Sequence, residues 1–243
     1  MSTLEKVLNA LAAGVSIGTR TMDIEVAAVA LLNVLKLEPV FKGYQPEGHD
    51  KPYEFVTCIS VNNEVIHGLP SDRKIEEGDV VKIDIGFKED GLIYDGATTV
   101  IAGTHEIEKK GKKITVSSGS AAARKLVAAT REALEAGVLA AKAGKTNLTI
   151  TEAIEAVAKK YELNVVVGYG GHGIGEKLHQ EPFIANAARD VKGEPFKLES
   201  GMRIAIEPMF CTANPNNFKD KNGWTVKVPA GLAAHFETTV TIA

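Results

Sequence analysis

The chain has 243 residues, 44% of them apolar and 24% charged, and Lys+Arg 28 against Asp+Glu 31 leaves a net charge of −3. A chain of this length buries roughly 70–75% of its unfolded surface without needing a disulfide or metal, and the missing basic excess argues against nucleic acid or an anionic membrane as partner. No apolar run approaches the roughly 20 residues of a membrane span, no basic-then-apolar leader opens the chain, and Cys58 and Cys211 are too few for a disulfide framework, so a cytoplasmic protein is expected.

In chain order, apolar residues at i, i+3, i+4 spacing predict helices over about 3–13 and 23–37. The periodicity then turns to two, predicting strands in EFVTCISVNNEVIHG, DVVKIDIGF and LIYDGATTVIAG. The lysine-rich segment 104–118 reads as a solvated loop or projecting hairpin with no assigned function. Helices return over about 119–143 and 151–161, the second starting at Thr151 with Glu152 and Glu155 near its positive end. Further strands lie in NVVVGYG, MRIAIEPMF, WTVKV and HFETTVTI.

The two helical stretches resemble each other. Placing Gly14 over Gly144 also superposes Thr19 on Thr149, Thr21 on Thr151, Ile24 on Ile154 and Glu25 on Glu155. The plainer alternative is a chance likeness between amphipathic helices; with no Pro/Ser-rich linker between the stretches, the sharper reading is one α+β domain over 1–243, built of two pseudo-symmetric halves, about 1–118 and 119–243.

The chemistry lies in the strands. If Lys88 to Gly91 forms a four-residue turn, residues whose numbers sum to 179 face one another, and Asp84 and Asp95 meet directly across a hairpin. Two apposed carboxylates among Val, Ile and Tyr need a shared proton or a multivalent cation; the plainer alternative is a hairpin edge facing water. Glu207 in RIAIEPMF and Glu237 in HFETTV are likewise acids inside apolar strands and need partners. His172 sits among glycines in YGGHGIGEKLHQEP, His179 comes seven residues later, and His67 ends a strand in VIHGLP. The glycine run is too weak a signal for a nucleotide loop, and the EKLHQEP after it is too polar and Pro-broken to open the required helix. Two Asp, two Glu and one His fit a two-metal centre, with an oxygen-rich donor set suiting Mn²⁺, Fe²⁺ or Co²⁺ better than structural Zn²⁺. Such a pair of ions acidifies a bridging water to a hydroxide nucleophile.

The motifs IHGLP, KIDIGF, YDGATTV, GGHGIGEKLHQEP, IAIEPM, GWTVKV and HFETTV, in this order, resemble type I methionine aminopeptidase. The resemblance implies a pita-bread fold, a pseudo-two-fold curved antiparallel sheet covered by helices, and removal of N-terminal Met from nascent polypeptides with a small second residue. It implies Asp84 as ligand of one metal, Asp95 and Glu237 as bridges, and His172 and Glu207 completing the other site. Glu207 would shuttle the proton while a bridging hydroxide attacks. His179 would polarise the scissile carbonyl, His67 would bond the substrate amide, and Tyr44, Tyr53, Cys58 and Trp224 would line the methionine pocket. The implied cofactors are two divalent ions (Co, Mn or Fe). The implied setting is a cytoplasmic monomer meeting its substrate at the ribosome exit.

Departures from the pattern are Thr238 where the family usually has His, Leu178 before His179, and Phe41 at a pocket position. A short first helix, an early C-terminus and the 104–118 insertion depart as well. The alternatives are an Xaa-Pro aminopeptidase or dipeptidase of the same fold, and a catalytically inactive pita-bread binding protein. The first usually carries an additional N-terminal domain and shorter ligand spacings; the second typically loses ligands.

Overall fold

The computed structural model describes residues 1–109 and 112–243. Helix α1 (Thr3–Ala13) starts at Ser2, whose hydroxyl accepts from the Glu5 amide while the Glu5 carboxylate accepts from the Ser2 amide, a reciprocal cap. Leu4, Val7, Leu8 and Leu11 form its buried stripe. Helix α2 (Thr21–Leu35) ends at Lys36 in a left-handed turn. Its Glu25 is buried and accepts hydrogen bonds from the Val56 and Thr57 amides and the Thr57 hydroxyl, fastening the helix to the start of the strand that opens at Thr57.

The strands of the first half are β1 (Glu38–Pro39), β2 (Thr57–Val61), β3 (Glu64–Ile66), β4 (Val80–Glu89) and β5 (Leu92–Ile101). A paired hairpin, β6 (His105–Lys109) and β7 (Lys112–Val116), then takes the place expected for a loop or projecting hairpin, with residues 110 and 111 outside the described residues. In the second half come α3 (Ala121–Ala140), α4 (Leu148–Lys160), β8 (Asn164–Val165), β9 (Gly170–Gly173), β10 (Gln180–Ala185), β11 (Arg203–Ile206) and β12 (Met209–Cys211). The last strands are β13 (Phe218–Lys219), β14 (Val226–Lys227), β15 (Ala233–His235) and β16 (Glu237–Thr241).

Eight strands form one sheet in the order β1-β4-β5-β16-β11-β9-β10, with β2 also on β4, and every pairing is antiparallel. Side-chain alternation sorts its two faces. Val81, Ile83, Ile85 and Phe87 of β4, with Ile59 and Val61 of β2, pack against α1 and α2 in one core. Burying each such side chain contributes roughly 1.5–3 kcal/mol. A second core joins Leu126, Ala129 and Ala133 of α3 and Ile150 and Ile154 of α4 to Ile204 and Ile206 of β11. The opposite face of the sheet carries Asp84, Cys58 and Asp95 towards a central cleft.

Four sequence expectations change. The β4–β5 hairpin pairs Glu89 with Leu92 and Asp84 with Ala97, so paired numbers sum to 181 and not 179. Asp90 and Gly91 close it as a two-residue turn with φ of 49° and 83°, the conformation that an Asp-Gly pair favours because it matches the strand twist. Asp84 and Asp95 are therefore diagonal neighbours; a slip of two keeps both on the same face. Helix α4 begins at Leu148, so Thr151 lies inside it, buried, its hydroxyl donating to the Ala185 carbonyl. MRIAIEPMF and HFETTVTI each divide, at Glu207–Pro208 and at Phe236, between two sheets. The GGHG stretch is a strand. A Cβ at Gly170, Gly171 or Gly173 would meet the carbonyl oxygen of Ile184, Ala205 or Glu181, so only glycine lets the neighbouring backbones close on β9.

Candidate metal centre and substrate cavity

Reading across the sheet in the order β4, β5, β16, β11, β9, each strand or its end presents one donor: Asp84, Asp95, Glu237, Glu207 and His172. Residues far apart in sequence thus converge because adjacent antiparallel strands present them on one face. All five are at most 8% exposed. His172 Nε2 lies 3.4 Å from Glu207 Oε1 and 4.0 Å from Glu237 Oε1. Its Nδ1 is 2.9 Å from the Gly173 carbonyl oxygen, to which it donates, which leaves the Nε2 lone pair facing the acids. Asp95 is fixed through its backbone, its amide donating to Thr239 Oγ1 at 2.8 Å and its carbonyl accepting from the same hydroxyl at 2.9 Å.

Burial dominates the electrostatics. It holds Asp84, Glu207 and Glu237 well above the usual carboxylate range, and the charge of Asp95 pushes each further. Asp95 itself is pushed up to about 7, burial outweighing the Gly96 amide that its carboxylate accepts. Burial also keeps His172 and His179 below the usual histidine range and lowers His67 to about 4. Four acids that resist ionising together, beside neutral imidazoles, make a site that lacks positive charge.

The groups Asp95–His172–His179, His172–Glu207–Glu237 and Asp84–His235–Glu237 each offer donor atoms within 4.8 Å of one another. His235 does not stand out in the sequence. It lies two residues before Glu237, a spacing that puts both on one side of an extended chain, and that is the available signal.

Above these donors lies a cavity of about 340 Å³, within the range of small-ligand sites. Phe41, Tyr44, Tyr53, Cys58, Leu178 and Trp224 supply its apolar wall, so the four expected pocket residues are all present, and His67 and His179 line it as well. Trp224 packs edge-on to Tyr53, ring centres 5.0 Å apart, and lies against His49 in a tilted contact at 4.2 Å, a rim residue that no sequence motif singles out. The Tyr53 hydroxyl is spent inward, donating to the Thr57 and Gly68 carbonyls. The Tyr44 hydroxyl instead reaches His179 Nδ1 at 2.7 Å. His67 has a φ of 57°, a left-handed backbone unusual outside glycine.

Known proteins share this architecture. A model of metallopeptidase family M24 matches residues 1–243. The methionine aminopeptidase of Aquifex aeolicus is 44% identical over 239 residues, which cover 98% of this chain and 87% of the relative. Methionine aminopeptidase 1 of Bacillus subtilis is 32% identical over 226 residues, 93% of this chain and 82% of the relative. A crystal structure of methionine aminopeptidase from Thermotoga maritima superposes with a TM-score of 0.85 at 32% identity, covering 98% of this chain and 88% of that one. A prolidase from Pyrococcus furiosus reaches 0.69 at 23% identity, covering 99% of this chain and 58% of that one, a likeness of fold alone.

Proposed function

The chain belongs to metallopeptidase family M24, and on that premise we propose that the central cavity is the active site of a methionine aminopeptidase, cleaving after an N-terminal methionine when the second residue is small. Its fold is the pita-bread fold that the motifs implied. We read it as one domain of two halves, each with its own apolar core.

The observation that carries this reading is the row of five donors on consecutive strands beneath an apolar slot. Divalent cations fit it on independent grounds: Asp84 Oδ1, Glu237 Oε1 and both ring nitrogens of His235 are buried with no hydrogen-bond partner. Unpaired buried atoms of that kind are costly unless something outside the chain satisfies them. Asp84, Asp95, His172, Glu207 and Glu237 would hold two ions, with Asp95 and Glu237 shared, and Mn²⁺, Fe²⁺ and Co²⁺ match this oxygen-rich set. Bound dications supply the Lewis acidity that ionises water at neutral pH and polarises a carbonyl.

The chain's own groups do the rest. Glu207, held well above the usual carboxylate range by burial and by the charge of Asp95, takes up a proton and delivers it to the leaving amine. The Tyr44 hydroxyl lies 2.7 Å from His179 Nδ1; with Tyr44 as the donor of that bond, Nε2 would carry the proton and serve as donor to the oxyanion. His67, kept neutral by burial, accepts from the amide after the methionine. The unbranched thioether side chain occupies the slot walled by Phe41, Tyr53, Cys58, Leu178 and Trp224. Nascent polypeptides in the cytoplasm, met at the ribosome exit, are the natural source of such N-termini. A monomer suffices, because one chain supplies every residue of the cavity. Among the described residues no helix is long and apolar enough to cross a membrane. An Xaa-Pro peptidase is disfavoured because the methionine aminopeptidase superposes with the higher TM-score, 0.85 against 0.69, and the match spans 88% of that protein against 58% of the prolidase. An inactive binding protein is disfavoured by the intact set of five donors.

The test is release of free methionine from a Met-Ala peptide by protein stripped of metal and reloaded with Co²⁺, Mn²⁺ or Fe²⁺. Activity is expected only after reloading, and indifference to chelation overturns the metal-dependent reading.

A further inference from the structure

Among the described residues, His235 is a buried group of the centre that the mechanism leaves unused. Its residue is 2% exposed, and neither ring nitrogen has a hydrogen-bond partner. The ring belongs to strand β15, whose end is clamped to β5: the His235 amide donates to Thr99 Oγ1 at 3.0 Å, and that hydroxyl donates to the His235 carbonyl. Its position is therefore set by two sheets and not by a loop. Nε2 stands 3.7 Å from Glu207 Oε2 and 3.8 Å from Glu237 Oε2. Those separations are too long for hydrogen bonds, yet they suit donor atoms that share a third atom lying between them. A donor atom of His235 also lies within 4.8 Å of one from Asp84 and one from Glu237, while Asp84 Oδ1 and Glu237 Oε1 are themselves unpartnered. On the other side of the centre His172 has the equivalent relation to Glu207 and Glu237.

We propose that His235 is a sixth protein ligand of the centre, binding through a ring nitrogen the ion held by Asp84 and Glu237, so that each of the two ions receives one imidazole. The inference rests on the metal-centre reading of the proposed function. A second imidazole shifts the donor set at that ion away from pure carboxylate, towards Co²⁺ and Fe²⁺ and away from Mn²⁺.

The experiment titrates metal-stripped protein with Co²⁺ and follows the imidazole N–H proton resonances that ligation to this paramagnetic ion moves far outside the ordinary range. Calorimetry gives both dissociation constants in the same samples. Wild type at saturation is expected to show two such resonances and His235→Gln one. In the variant one dissociation constant weakens by roughly 10–100-fold and the other stays within about threefold. His235→Asn repeats the comparison with a different side chain, and thermal unfolding of each metal-free variant checks that it folds. A single shifted resonance in saturated wild type, or unchanged dissociation constants in the variants, overturns the assignment and leaves the five-donor centre standing. Failure of wild type to bind Co²⁺ at all overturns both.

Discussion

The Tyr44 hydroxyl lies 2.7 Å from Nδ1 of His179, joining residues 135 positions apart across the mouth of the cavity. On the proposed reading Tyr44 is more than a wall of the slot: as donor to Nδ1 it would leave the proton of His179 on Nε2. Tyr44→Phe keeps the ring and removes this control, so kcat/KM on a Met-Ala peptide is expected to fall about 10-fold. His179→Ala, which deletes the donor, is expected to cost about 10²–10³-fold. Steady-state kinetics checks both, and equal rates for Tyr44→Phe and wild type contradict the role.

The buried acids make stability depend on pH and metal. Asp84, Asp95, Glu207 and Glu237 ionise at higher pH in the folded chain than in the unfolded one. The folded state therefore binds more protons than the unfolded state, and stability falls as pH rises through the raised values. The neutral histidines oppose this, but only below about 6.5, where unfolded histidine is protonated. Lys82, lowered to about 7 by burial, offsets one proton above that point. The net expectation is that the metal-free Tm falls by about 5 °C or more between pH 6.5 and 8.5. Adding dications should restore more at pH 8.5 than at 6.5, because ligands must be ionised to bind. Calorimetric scans with and without Mn²⁺ read both slopes.

Asp95→Asn separates stability from function. Asp95 raises the other three carboxyl groups by its charge, so the neutral amide relieves repulsion throughout the cluster. The metal-free variant is expected to unfold about 2–5 °C higher than wild type at pH 8, with activity reduced by more than about 10³-fold. A variant that is active, or less stable than wild type at pH 8, contradicts the shared role given to this residue.

Gly171→Ala tests the glycine strand that carries His172. A Cβ there meets the Ala205 carbonyl oxygen, which belongs to the backbone of β11 and cannot rotate away. A destabilisation of about 3 kcal/mol or more is expected, with weaker metal binding because β9 must move. Unchanged thermal unfolding would show that the sheet yields more easily than its packing suggests.

The donors are legible in the sequence because each is an acid or histidine set in an apolar strand or glycine run, where it demands a partner. Asp84, Asp95, His172, Glu207 and Glu237 converge as their motifs imply, and Tyr44, Tyr53, Cys58 and Trp224 line one cavity. The hairpin register differs by two because Asp90–Gly91 alone turns the chain, more tightly than a four-residue turn would, and the difference leaves every side chain on its face. The breaks at Pro208 and Phe236 are hidden by continuous apolar runs, since periodicity does not show which sheet a strand joins. His235 escapes a sequence reading for the same reason: whether its ring faces the acids depends on the chain's path between β15 and β16.

The most direct measurement of the central claim is product analysis of one set of peptides, Met-Ala-, Met-Gly-, Leu-Ala- and Ala-Pro-initiated, incubated with the metal-reloaded protein. Free methionine is expected from the first two and little release from the others, with Asp95→Asn inactive on all. Robust cleavage of the Xaa-Pro bond with the Met-initiated peptides left intact would contradict the assignment.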